Sequence, residues 1–118
     1  MKNINHLLPG FEFPETVIQV SEEEQRYKLS CCDIDGSIYG NEVDITMLGL
    51  PTLEILMAAD VPVLGAVHLF QRFHQNSPFA LGEEIIVNGN ISEVLPHERG
   101  CILKCEFQYT DPMGNVRV

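Results

Sequence analysis

The run Ile45-Thr46-Met47-Leu48-Gly49-Leu50-Pro51-Thr52-Leu53-Glu54-Ile55-Leu56-Met57-Ala58-Ala59 is almost wholly apolar, and its reading decides the fold. Pro51 divides it. Proline disfavours helical geometry at Leu50 but suits a first helical turn, so residues 51–59 are predicted as a helix. Glu54 is the single strongly polar interruption, and a helix apolar nearly all round is a buried helix. Downstream the pattern turns strand-like. Residues 65–74 alternate in part, with Val67, Leu69 and Phe73 on one face and His68, Phe70, Arg72 and His74 on the other. Residues 84–94 are rich in β-branched side chains and span Gly89, which reads as a bulge. Residues 101–109 alternate again, and Asp111-Pro112-Met113-Gly114-Asn115 is a strong hairpin signal before 116–118 begin a last strand. Three antiparallel strands in a row behind a buried helix predict an α+β protein with the helix laid against the sheet.

Upstream, Pro9-Gly10 reads as a turn leading into short alternating stretches over 11–13 and 17–20. Ser21-Glu22-Glu23-Glu24 fits a capping box: the Ser21 hydroxyl accepts from the third helical amide and Glu24 reaches back. A helix of two to three turns follows through Tyr27 and Leu29, until Asp33-Ile34-Asp35-Gly36 stops it. Residues 37–44 are polar and glycine-bearing and read as a loop.

The chain has 118 residues, 45% of them hydrophobic, which is enough for one domain over 1–118 and one core without disulfide or metal staples. Seventeen acids against seven bases give a formal net charge of −10. That balance argues against nucleic acid as a partner and against polybasic docking to lipid. The four cysteines include the adjacent pair Cys31-Cys32, and the Cys101…Cys105 spacing lacks the CxxC character of a zinc knuckle. Reduced thiols, no metal and no cofactor are expected. No apolar run approaches a membrane span and residues 1–10 lack the apolar stretch of a signal peptide, so the expected setting is the cytoplasm.

Three groups of residues in the second half carry a resemblance. They are Val61-Pro62-Val63-Leu64-Gly65-Ala66-Val67-His68, then Ser77-Pro78 with Leu81-Gly82-Glu83, then Glu93-Val94-Leu95-Pro96-His97-Glu98-Arg99-Gly100. In order and spacing they resemble the MaoC-like dehydratase family, in the branch with a GxVH strand start followed by P…GE and PHxRG turns. The resemblance runs from about Gly10 to Val118. It implies the hot-dog fold, a central buried helix wrapped by a curved antiparallel sheet. It further implies acyl-thioester chemistry: reversible addition of water across a trans-2-enoyl thioester of coenzyme A or acyl carrier protein. A carboxylate and a histidine would hold the water, and backbone amides at the helix start would polarise the thioester carbonyl. Such proteins work as homodimers or as paired hot-dog subunits.

The family's hydratase motif runs Tyr-Arg-Leu-Ser-Gly-Asp-x-Asn-Pro-x-His. Here Tyr27-Lys28-Leu29-Ser30 matches its opening and Asp33 and Asp35 follow, but no histidine stands between His6 and His68. The resemblance therefore leaves Asp33, or Asp35, as the carboxylate, and His68 as the replacement base, since histidine exchanges protons near neutral pH. An aspartate at such a place also serves as a helix-stopping turn residue, and a strand histidine as a structural group. Gly65, with no Cβ, admits a close ligand or chain. Met57, with Leu56, is a candidate wall of an acyl tunnel, and Arg72 a candidate contact for a CoA phosphate. Arg99 and Lys104 are the other cations available for that task. His74 and His97 receive no role.

Three functions stay open. The first is an acyl-thioester-binding protein acting as an enoyl-thioester hydratase or 3-hydroxyacyl-thioester dehydratase. The second is a non-catalytic hot-dog subunit that shapes the acyl tunnel for a partner carrying the complete motif. The third is an acyl-CoA thioesterase using Asp33 or Glu54. The short stretch 116–118 leaves the final strand barely begun, which is expected of a short sheet edge or of a chain that continues.

Overall fold

The computed structural model describes residues 6–62, 66 and 68–118. Element order is β1 (Thr16–Ile18), α1 (Glu22–Cys31), α2 (Gly49–Ala58), β2 (Ile85–His97) and β3 (Gly100–Thr110), with 3₁₀ turns at Gly36–Tyr39 and Ile45–Leu48. The three strands form one antiparallel sheet in the order β1-β2-β3, and with the two helices they make the α+β class expected.

β2 is the spine of the sheet. Ile85, Val87 and Ile91 fall on one face with no exposed surface, the period of two that a half-buried strand dictates. They share a core with Phe13, Leu48, Ile55, Phe79 and Tyr109. The glycine on the same face, Gly89, is not the bulge that its place in the strand suggested. It lies opposite Phe107 of β3, and a Cβ there would stand 2.4 Å from Phe107 Cδ1. The ring of Phe107 covers the glycine and stacks on Phe13 at 5.6 Å. The register shift falls instead between Ile91 and Glu93. The β2–β3 turn is two residues, Glu98 and Arg99, with Gly100 supplying a φ of 137° that only glycine takes readily.

α1 begins after Ser21 as expected, with the first of the capping box's two bonds. Ser21 Oγ accepts from the Glu24 amide at 3.1 Å, and the three glutamates of the first turn face the positive end of the helix dipole. α2 starts two residues earlier than expected, at Gly49, and Pro51 sits within its first turn.

α2 is also not buried all round. Thr52 and Ile55 face the core, while Leu50, Leu53 and Met57, spaced three and four apart, form an exposed stripe. Apolarity without a period could not distinguish a helix covered on every side from one covered on one side only. The strand expected over 65–74 is absent as well: among the described residues there, 66 and 68–74, none is in regular structure. Leu69 and Phe70 are exposed, and Phe73 alone packs partly on the core. Alternation needs a paired edge to become a strand, and none meets the described residues of this segment. At the other end, Val116 makes a single bridge to Thr110, and Arg117 and Val118 bond to Tyr109.

Candidate functional site

Where α1 ends, the chain turns by a local device. The Asp33 amide donates to the Ser30 carbonyl at 3.0 Å and the Ile34 amide to Leu29 at 2.8 Å, with Asp33 itself at a φ of 60°. These are the two bonds of a Schellman motif, which needs a left-handed residue at this position. Asp35, the other candidate carboxylate, accepts from the Ser37 amide at 2.9 Å and caps the 3₁₀ turn Gly36–Tyr39. That amide, with the Ser37 hydroxyl and the Arg26 guanidinium, holds Asp35 below the ordinary carboxylate value, against a smaller opposing effect of burial. Both aspartates are exposed.

The segment from Asn41 to Leu48 then builds the wall of a cleft. Val43 donates to the Phe79 carbonyl at 2.8 Å, and Glu42 bridges Ala80. Asp44 is buried and caps the second 3₁₀ turn through the Thr46 amide (3.1 Å) and hydroxyl (2.8 Å). Lys28 of α1 closes this corner, 3.9 Å from Asp44 Oδ2 and bonded to the Thr46 hydroxyl. The cleft has a volume of about 360 Å³ and is lined by Tyr39, Glu42, Val43, Asp44 and Ile45 on one side and Phe73 and Gln75 on the other. That volume reaches the range of small-molecule sites, roughly 300–1,000 Å³. A smaller groove of about 170 Å³ is lined by Ile18, Gln19, Val20, Met47, Leu50 and Pro51 together with Glu24 and Glu54.

None of the described residues singled out by sequence lines the cleft. His68 is exposed in the irregular segment, and neither its side chain nor that of Asp33 bonds to another described residue. Met57 is 52% exposed on the outer stripe of α2, and Arg72 is exposed with no ion pair among the described residues. Gly65 lies outside the described residues. Glu54 alone of the earlier candidates faces a concavity, the smaller groove. Nothing in the sequence marks the cleft residues Tyr39, Glu42 and Phe73, whose segments read as a loop and as a strand.

Among the described residues, no group of three or more His, Cys, Asp or Glu side chains has a geometry for a metal ion. The four thiols are free, and burial pushes the Cys105 thiol above its ordinary value. No described helix is long and apolar enough to cross a membrane.

No protein-family model matches the sequence. No curated protein matches it either. The fold does find a match: the crystal structure of the MaoC-like dehydratase from Rhodospirillum rubrum superposes with a TM-score of 0.69 at 14% sequence identity. The match covers 97% of this chain and 88% of that one.

Proposed function

We propose that this protein binds acyl thioesters of coenzyme A or acyl carrier protein, as a hot-dog protein of the dehydratase type. The observation that carries the reading is the fold likeness to a MaoC-like dehydratase over 97% of the chain. The cleft at the entry to α2 is the place for the thioester head. It joins an aromatic pair, Tyr39 and Phe73, to polar side chains within a volume that admits a small acyl group. The exposed stripe of Leu50, Leu53 and Met57 fits a protein that works with a second hot-dog unit, either its own copy or a related chain.

In the enzymatic form of this proposal, Asp33 and His68 supply carboxylate and imidazole for hydration, with Gly65, Met57 and Arg72 on the substrate. That form requires the two segments to close on one bound substrate, because no hydrogen bond joins their described residues. The non-catalytic form needs no such movement, and the use of Asp33 as the left-handed residue of a helix cap favours it. A thioesterase reading rests on Glu54, which lines the smaller groove together with Glu24 and a set of apolar side chains.

The deciding experiment titrates the purified protein with crotonyl-CoA and follows three signals: binding heat, loss of the enoyl absorbance and release of free thiol. Binding without turnover is expected. Loss of enoyl absorbance, abolished by His68→Ala, establishes the hydratase, and free thiol the thioesterase. No binding of either crotonyl-CoA or crotonyl-pantetheine sinks the proposal.

A further inference from the structure

We propose that Gln25 is a positioning residue for the cleft, a role that rests on the acyl-thioester reading above. Gln25 is 2% exposed, on the same face of α1 as Leu29, the other buried residue of that helix. A primary amide so placed must satisfy both its donor and its acceptor within the protein. It does so entirely on the cleft wall: Nε2 donates to the Glu42 carbonyl at 2.9 Å, and Oε1 accepts from the Asp44 amide at 2.7 Å.

These two groups flank Val43, whose own amide is taken on the opposite edge by the Phe79 carbonyl at 2.8 Å. A residue in a parallel strand would engage the same pair, the carbonyl before and the amide after its neighbour. The side chain thus stands in for a missing strand, and the segment 42–44 is held from both edges. Glu42 and Asp44 flank the clasped residue and both line the cleft. Asp44 in turn caps the 3₁₀ turn that leads into α2. One amide on α1 therefore fixes the cleft's two carboxylates together with the approach to the helix start.

The test uses the full chain and crotonyl-pantetheine as probe, with Gln25→Met and Gln25→Glu. Methionine keeps the length of the side chain and loses both bonds, so its affinity for the probe should fall about tenfold while the circular dichroism stays that of the wild type. Glutamate keeps the acceptor for Asp44 and regains the donor for Glu42 only when its carboxyl is protonated. The charged groups around it are Glu42 and Asp44 on the clasped segment and Lys28, with the exposed Glu24 and Arg26, on α1. Wild type and variant share these groups, so affinity is read as the ratio of the two. That ratio should recover toward one between pH 8 and pH 5.

A flat ratio for Gln25→Glu across that range overturns the proposal, as does unchanged affinity in both folded variants. Should Gln25→Met not fold, the Gln25→Glu ratio decides alone. A wild type that fails to bind the probe at all sinks the acyl-thioester reading and this proposal with it. A wild type that binds beside indifferent variants sinks this one only.

Discussion

Asp33 and Asp60 hold the same station at the ends of the two helices, with φ of 60° and 61°. At α2 the Asp60 amide donates to Met57 at 3.1 Å and the Val61 amide to Leu56 at 3.0 Å, repeating the pair of bonds that Asp33 and Ile34 make at α1. Both helices therefore end in a Schellman motif with aspartate where glycine is the usual occupant. Asp tolerates this backbone better than most residues, though not without strain.

Replacing Asp33 with glycine relieves that strain and loosens the unfolded chain, two effects of opposite sign. The expected net change is a gain of about 0.5 kcal/mol in urea unfolding. The same variant separates the two forms of the proposed function. A hydratase that uses the Asp33 carboxylate loses turnover while becoming more stable, and a binding subunit keeps its affinity.

Gly89→Ala places a methyl 2.4 Å from Phe107 Cδ1 and 3.0 Å from the Glu106 carbonyl oxygen. The ring must leave its stack on Phe13, and the expected loss is about 1–3 kcal/mol. Phe107→Leu in the same chain should recover part of it, measured as a positive coupling in a double-mutant cycle. Equal stability of Gly89→Ala and wild type contradicts the packing described.

Arg117 gathers the loop 77–83 onto the last turn. Its guanidinium reaches both Glu83 oxygens (2.7 and 2.9 Å) and the Pro78 carbonyl (2.6 Å), and lies 4.6 Å from the Phe79 ring centroid. Arg117→Met leaves Glu83 without this partner and should cost about 2 kcal/mol. Asp111, beside it, is held below the ordinary value of 3.8 chiefly by the Asn115 amide, with burial opposing and the Asn115 side chain, the Met113 amide and Arg117 assisting. A lowered carboxylate stabilises fully above its unfolded value, and that share is lost as pH falls through the lower folded value. Acid unfolding below about pH 3.8 should therefore be less steep in Asp111→Asn than in wild type.

Burial pushes the Tyr109 phenol well above its ordinary value of 10.0, and its hydroxyl donates to the Leu48 carbonyl at 2.5 Å. The sign is opposite to that of Asp111. The contribution is complete below the unfolded value and fades as pH rises past it toward the folded one. Tyr109→Phe leaves the Leu48 carbonyl without this donor, at an expected cost of about 1–2 kcal/mol. In an ultraviolet pH titration, Tyr109 should ionise only together with unfolding.

Local chemistry was the legible part of this chain. Ser21 with Glu24 announced a helix start, and Asp111 to Asn115 a turn, because each device is completed within five residues. Leu69 and Phe70 misled because an alternating run shows a strand's faces and not whether an edge exists to pair with it. Gly89 misled for a similar reason: the sequence shows a missing side chain but not the Phe107 ring that fills the space. The cleft was the least legible feature, since Tyr39, Glu42 and Phe73 come from two segments without regular strands, and the first is bonded to Phe79, six residues after Phe73. Gln25 did leave a trace, a polar residue four positions before Leu29 on the inward face of α1.

Beyond the bulge the β2–β3 ribbon runs on without β1, so the outer side of residues 93–97 meets no strand among the described residues. The pair His97–Gly100 closes a two-residue turn and spends its hydrogen bonds inward, which turns the Pro96 nitrogen outward. A proline there has no proton to offer an incoming strand, and Glu93 and Lys104 place charges at the ribbon's base. An open edge of this kind invites chain after chain to add in register. Pro96 with these charges makes that growth unfavourable along the outer side of β2.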